Sequence, residues 1–504
     1  MKRFRLYIYL SICSSILLVS ACGDFLNVNT DQTRLKVIST PLVLSAAQTS
    51  MAFHQGSDLF LYSSIIMQQA TGNGVTGGQT RFYDQYIITN ADVNNAWNAH
   101  YSGALADFDY IRKNTYAEGN PQYGGIAKIL QAYNFSILVA AWGDIPYKEA
   151  LKGTRFPQPK YDNSKEVYDS LFLLVDSGIA DLAKTNVRAV GAEDLIYAGD
   201  MGKWTRFANT LKLRLALHYA KDDNGAKLNA LINSGAAFMV GNGDNFQLSF
   251  ENVTNRQNPI HQFELLRQDQ YWPGKYMIDI MNTKSDPRRT TYFTPINYPK
   301  TFPYTPTITD TYVGLAPGVA QSVAASRIGV YLRGSVTADN GTRASDGSSL
   351  NATSLTFTGI APIRMLTFAE YNFIRAEASL SYGASGSAAT FFANGIDASM
   401  SNSGLSAAAL AAATAYKATQ TALPLTVQLV IEEKYIANYG VAMEPWTDWR
   451  RTGFPNIPVS AAAVAQANTV VPRILVYPLS ETQVNADNLP PRASLIVKGA
   501  FWDK

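Results

Sequence analysis

The chain has 504 residues, of which 47% are hydrophobic, 12% aromatic and only 16% charged. That composition supports a large core and excludes an intrinsically disordered chain. Its formal charge of +3 falls to zero once Lys2, Arg3 and Arg5 are set aside with the leader described next, because 42 − 3 = 39 Lys+Arg then face 39 Asp+Glu; such a chain lacks the basic excess that nucleic-acid binding needs.

Residues 1 to 5 carry three positive charges, and residues 6 to 21, LYIYLSICSSILLVSA, are apolar or small almost throughout. Sixteen residues at about 1.5 Å each fall short of a hydrocarbon core of about 30 Å, so residues 1–21 read as a secretory signal. The segment ends Leu18-Val19-Ser20-Ala21-Cys22-Gly23. This resembles the bacterial lipobox, and the resemblance implies that Cys22 becomes the acylated first residue of the mature protein. Two or three acyl chains anchor a protein stably. Residues 22–34 then form a tether, and residues 35–504 a single domain. With Cys13 removed and Cys22 acylated, disulfides, thiol nucleophiles and Cys-ligated metals are all excluded. The histidines His54, His100, His218 and His261 show no HxxH or HxxxH spacing, so no local metal site is expected, and no cofactor is implied.

Along the rest of the chain helical periodicity dominates. Trp97, Tyr101, Ala104, Leu105, Phe108 and Ile111 repeat at steps of three and four, as do Tyr123, Ile126, Leu130, Tyr133 and Ile137. Trp204, Phe207, Leu211 and Leu215 continue the pattern, followed by Leu366, Ala369, Phe373, Ala376 and Leu380, and by Val427, Ile431, Tyr435 and Tyr439. Each set places one apolar stripe on one helix face. The reading is all-α, with helix pairs stacked as in tetratricopeptide repeats over about 35–251 and 361–504, and room for one small sheet. Residues 252–360 differ: Pro259, Pro273, Pro287, Pro295, Pro299, Pro303, Pro306 and Pro317 forbid long helices there. They form a loop-rich irregular insertion, expected on the ligand side.

Several motifs admit two readings. Gly72-Asn73-Gly74-Val75-Thr76-Gly77-Gly78 lacks the ending of a phosphate loop; with Arg81 and Tyr83 behind it, it forms either a binding rim or an ordinary loop. Trp142-Gly143-Asp144-Ile145-Pro146-Tyr147 reads as a helix end with Gly143 in a left-handed cap, Asp144 accepting backbone N–H bonds and Pro146 enforcing a turn. It serves as a structural corner or as a ligand loop. Gln268 to Tyr276 mixes amides with Tyr271, Trp272 and Tyr276, a combination suited to stacking on a sugar or meeting a peptide; Tyr298, Phe302, Tyr304 and Tyr312 add to it. Glu370 and Glu377 share a helix face about 10.5 Å apart along the axis, long for a retaining carboxylate pair and better suited to ion pairs between helices. Trp446, Asp448, Trp449, Arg450 and Arg451 form an aromatic–ionic block that either plugs a core, with Asp448 paired to Arg450 or Arg451, or stacks on a ligand. No GxSxG nucleophile elbow occurs.

Taken in order, CGDFLN at Cys22, WNAHY at Trp97, AWGDIPYKEA at Ala141, KW at Lys203 with ANTLKLR at Ala208, SDPR at Ser285, FAEYNFIRAEA at Phe368 and EPWTDWRRTGFP at Glu444 resemble the SusD/RagB family of outer-membrane lipoproteins, and more narrowly its SusD-like nutrient-binding branch. The resemblance spans nearly the whole chain. It implies four tetratricopeptide-like helix pairs. It also implies a surface-exposed lipoprotein that captures a glycan or peptide and caps a TonB-dependent SusC-like transporter like a lid, without catalysis. The family's ligand contacts are not borne by its motifs. The candidates Arg81, Tyr83, Tyr271, Trp272, Tyr276 and Tyr304 therefore come from residue chemistry alone, while Trp142, Gly143, Asp144, Pro146, Glu370, Glu377, Trp446, Asp448, Trp449 and Arg450 form a structural signature. A lipid-anchored hydrolase and an adhesin are the competing readings.

Overall fold

The computed structural model describes residues 38–73, 78–268, 270–298, 302–319, 324–340, 354–492 and 494–503. Cys22 with the leader and tether, Gly74, Val75, Thr76, Gly77, Asp269 and Pro299 lie outside the described residues.

The longer helices are α1 (Thr40–Gln55), α2 (Asp58–Ile66), α3 (Ala106–Asn114), α4 (Pro121–Trp142), α5 (Ser164–Leu182), α6 (Met201–Tyr219), α7 (Phe368–Tyr382), α8 (Ala388–Asn402), α9 (Ala407–Thr421), α10 (Val427–Ala437) and α11 (Glu444–Thr452). They follow the apolar stripes. In α4 only Gln122 and Lys128 are not buried, the pattern of a helix enclosed on all sides. It packs against α3 and α5. Gly125 and Gly178 let α4 and α5 approach closely, since a Cβ on Gly125 would stand 2.8 Å from the Gly178 carbonyl oxygen. Helices α7 and α8 form a second pair, with α8 against α9 and α7 against α10. Where sequence periodicity suggested one helix from Trp97 to Ile111, the chain forms a short helix, a π-helical stretch Ala99–Leu105 kinked at Gly103, and α3. The expected single small sheet is instead, among the described residues, four separate two-stranded antiparallel ladders.

Those ladders organise the insertion. Strands β1 (Ala70–Thr71) and β3 (Trp272–Pro273) pair, as do β4 (Phe293–Thr294) and β5 (Arg327–Ile328), and β6 (Val336–Asp339) and β7 (Leu355–Phe357). Strands β2 (Phe246–Leu248) and β8 (Ile363–Leu366) join where the chain leaves and re-enters the helical scaffold. The prolines shape rather than abolish helix here: Pro259 occupies the first turn of Pro259–Leu266, where no N–H is needed. Tyr271, Met277, Ile278, Tyr292 and Phe293 belong to the same apolar core as Leu130 and Tyr133 of α4, so the insertion is packed onto the scaffold.

A buried ionic network joins α6, α7, α10 and α11. Arg214 of α6 donates from Nε and Nη2 to Glu370 of α7, both at 2.7 Å. Lys434 of α10 meets Glu444 at 2.8 Å and Asp448 at 2.9 Å. Arg451 of α11 pairs with Asp448 at 2.9 Å and grips both oxygens of Glu377. The glutamates of α7 are thus partners of arginines, and Asp448 pairs with Arg451. Arg450 stacks 4.2 Å from the Trp446 ring centroid and donates to the carbonyl of Arg473. A second buried set ties the insertion to α10: Arg288 binds Asp286 and, at 2.9 Å, Glu433, which Lys284 also meets at 2.9 Å.

Arg451→Ala leaves Glu377 and Asp448 buried without their guanidinium, and is expected to cost about 3–5 kcal/mol in chemical denaturation. Lys275→Ala, which removes a pair whose two side chains are 54% and 52% exposed, is expected to cost less than about 1 kcal/mol.

Histidine burial predicts a pH dependence. Burial lowers the pKa of His100 to about 3 and that of His261 to about 4, and also lowers that of His218. These folded values lie below the unfolded value of 6.5, so the unfolded chain takes up the protons. The stability contribution is complete above pH 6.5 and is lost as pH falls below it, by up to about 1.4 kcal/mol per pH unit for each histidine. Thermal unfolding between pH 7.5 and 5 should show a falling melting temperature; a flat profile would contradict neutral, buried imidazoles.

Candidate functional site

The insertion opens into a cleft of about 280 Å³, near the lower end of the range typical of small-ligand sites. Two ladders and the loop between them build it. Phe293 and Thr294 come from β4, Gly329 and Val330 follow β5, and Tyr298, Phe302 and Tyr304 come from the intervening loop. Gly404 and Ser406, just before α9, complete the wall from the scaffold side. Tyr298 and Tyr304 meet edge to face, centroids 5.0 Å apart at 74°. Asp310 holds their loop: it accepts from the Tyr304 hydroxyl at 2.8 Å, from the Thr307 amide at 2.7 Å and from Asn297 Nδ2 at 3.2 Å. Burial, and then the Asp310 carboxylate, push the Tyr304 hydroxyl up to about 12, so at neutral pH it stays a donor. Phe302 is 43% exposed and offers an accessible ring.

The polar groups of this cleft are hydroxyls, from Thr290, Thr291, Thr294, Thr305, Ser335, Ser406 and the two tyrosines. Among the described residues its lining contains no Asp, Glu, Lys, Arg or His. Aromatic faces with uncharged hydroxyls stack on and hydrogen-bond a neutral, hydroxyl-rich molecule.

The sequence candidates are dispersed. Tyr304 lies in this cleft. Tyr83 and Tyr271 are buried in the main core, Tyr83 edge-on to Tyr62 at 5.0 Å and Tyr271 beside Phe60 at 5.7 Å. Trp272 is fully buried under the Arg327 guanidinium, 3.8 Å from its ring centroid. All three rings are buried, and Tyr271 also borders a separate cavity of about 230 Å³ lined by Phe53, Phe60, Pro259 and Phe263. Tyr276 is half-buried against Tyr435 at 6.2 Å, and burial followed by Glu432 raises its hydroxyl to about 12. Arg81 lies 4.7 Å from the Phe82 ring centroid. Neither Tyr276 nor Arg81 reaches the cleft lining. The threonines and serines that do line it were not singled out in the sequence, because scattered hydroxyl residues carry no pattern.

The signature residues occupy structural positions. Trp142 is fully buried and donates to the Val476 carbonyl at 2.8 Å. Gly143 has φ 71° and ψ −110°, a glycine conformation outside the left-handed helical cap expected for it, and a Cβ there would overlap the Gly499 carbonyl oxygen at 1.8 Å. Asp144 accepts from the Ser164 amide at 2.7 Å, and the Pro146 carbonyl accepts from the Tyr101 hydroxyl at 2.7 Å. Trp446 donates to the Pro472 carbonyl at 2.9 Å, and half-buried Trp449 lies under Arg473 at 5.3 Å.

Among the described residues no helix is long and apolar enough to cross a membrane, and no three His, Cys, Asp or Glu side chains gather as metal ligands.

The architecture recurs in solved structures. A chitin-binding protein shares 24% identity, with 92% of this chain and 100% of that chain covered and a TM-score of 0.74. A SusD homolog from Bacteroides uniformis shares 21%, covering 92% and 99%, with a TM-score of 0.71. A chitin-binding SusD homolog from Flavobacterium johnsoniae shares 21%, covering 92% and 98%, with a TM-score of 0.69. No curated protein matches the chain in sequence. Residues 32–478 match the model of the SusD-like family, described as starch-binding and associating with the outer membrane; the helical scaffold, the packed insertion and a match over most of the chain place this protein in the SusD-like family.

Proposed function

We propose that this protein is a cell-surface lipoprotein, anchored to the outer membrane through Cys22, that captures a neutral oligosaccharide in the insertion cleft and passes it to a TonB-dependent SusC-like transporter. The observation that carries the reading is the cleft lining: four aromatic rings and a ring of hydroxyls, with no charged side chain among the described residues. The family description as starch-binding and the chitin-binding names of two similar structures support a glycan. Aromatic faces set among hydroxyls match the alternating apolar faces and hydroxyl edges of a sugar, so glycan is preferred over peptide. A hydrolase needs two carboxylates about 5–10 Å apart across the scissile bond; the most conspicuous sequence pair, Glu370 and Glu377, is buried and held by arginines. Catalysis is therefore no part of the proposal. Tyr276 and Arg81 remain candidates for contacts outside the cleft with a longer chain.

Titration of neutral glucan and chitin oligomers by calorimetry tests the site. Tyr304→Ala and Phe302→Ala are each expected to weaken the bound oligomer about five- to tenfold, roughly 1–1.4 kcal/mol per stacking face. Unchanged affinity in both variants would move the ligand elsewhere. Cys22→Ser should shift the protein from the membrane to the soluble fraction, and the native lipoprotein, pulled down from detergent-solubilised outer membranes, should bring a TonB-dependent transporter with it. Recovery without any transporter would favour a free-standing binder or adhesin.

A further inference from the structure

A second cleft, of about 460 Å³, lies on the helical scaffold. Trp97, Asn98, Tyr101 and Ser102, at the start of the π-helical stretch, form one wall, and the loop from Pro146 to Pro159 forms the other, with Glu481 completing it. Its chemistry is unlike that of the insertion cleft. Glu149 accepts the Lys160 amide through Oε2 at 2.8 Å. Glu481 accepts the Tyr161 hydroxyl at 2.8 Å and Asn485 Nδ2 at 3.0 Å, both through Oε2. The remaining oxygen of each carboxylate has no donor among the described residues. Trp97 is only 3% exposed, and its indole N–H donates to no described residue. Lys152 is the one cation of the described lining. Its ammonium is already engaged, donating to the Lys148 carbonyl and lying 5.6 Å from the Phe156 ring centroid. Arg155, outside the lining, holds its guanidinium 5.4 Å from the same ring; within the lining two carboxylates face one ammonium, a formal charge of −1.

We propose that this cleft is a second binding site, for a saccharide that bears a free amino group. The ammonium sits between Glu149 and Glu481 as a charge-assisted donor, the sugar face stacks on Tyr101 and Phe156 with a cation–π contribution, and the Trp97 N–H donates to a ring or hydroxyl oxygen. A basic peptide presents a similar ammonium, but an extended backbone needs main-chain partners. Pro146, Pro157 and Pro159 line the cleft and have no N–H to give; their flat apolar surfaces suit a sugar face. This site is independent of the insertion cleft and of the reading given to it.

The test is calorimetry on the full-length protein with three probes: a β-1,4-linked glucosamine tetramer, its N-acetylated counterpart and tetralysine. Glu149→Gln and Glu481→Gln keep the amide and hydroxyl contacts and remove the charge; Phe156→Ala, at a half-buried position, provides a variant with little effect on folding. The glucosamine tetramer is expected to bind, to weaken roughly tenfold or more in each glutamine variant, to weaken as salt rises, to weaken in Phe156→Ala, and to be unaffected by Tyr304→Ala. The proposal is overturned if the glucosamine tetramer does not bind, if it binds both glutamine variants as it binds the parent, or if the N-acetylated tetramer or tetralysine binds as tightly through the same glutamates. Loss of neutral oligomers in Tyr304→Ala, with glucosamine binding indifferent to Glu149 and Glu481, would sink this inference and leave the insertion cleft standing.

Discussion

Arg214, Glu370, Glu377, Lys434, Glu444, Asp448 and Arg451 are all buried, and no one of them can be withdrawn without stranding another in a medium that solvates charge poorly. Three cations face four carboxylates across helices α6, α7, α10 and α11. An apolar core of the same volume would be about as stable. The network adds selectivity of docking, because a helix shifted by one turn loses bidentate geometry and leaves an unpaired charge. Arg288, Lys284 and Glu433 repeat the device between the insertion and α10. The irregular segment is therefore held to the scaffold by charge as well as by the shared core.

That rigidity has a functional consequence. An irregular loop such as 295–312 can present Tyr298, Phe302 and Tyr304 in a defined arrangement only if its ends are fixed, and the β4–β5 ladder fixes them, with Asp310 bracing the middle. The two clefts then differ by position in the fold. The one in the insertion is lined by strand ends and turns rich in threonine and serine, with no charged side chain among the described residues. The one on the scaffold is lined by helix ends and a charged loop, and carries free carboxylate oxygens. The elements that supply each wall set which chemical groups it presents.

Particular residues show how far sequence reading reaches. The stripe from Tyr123 to Ile137 became the central helix α4, because an apolar surface on all faces allows only burial. Thr367 caps the start of α7, its hydroxyl accepting from the Glu370 amide at 3.2 Å, a local signal that the periodicity argument did not use. Trp142 to Pro146 was legible as a corner. What the corner turns against was not: Val476, Tyr477 and Gly499 arrive from more than three hundred residues away. Aromatic residues carry a related ambiguity. A tyrosine or tryptophan has the same composition whether it plugs a core or faces a ligand, so Tyr83, Tyr271 and Trp272, which proved to be core residues, could not be told from Tyr304.

Sequence alone determined the helical class and the family, because both rest on local period, local backbone chemistry and ordered motifs. Only the tertiary structure decided which carboxylates meet which guanidiniums, which aromatic rings keep an open face, and which hydroxyls share a cleft. Those properties depend on contacts between segments far apart in the chain, where burial and charge pairing, rather than residue type, set what a side chain can do.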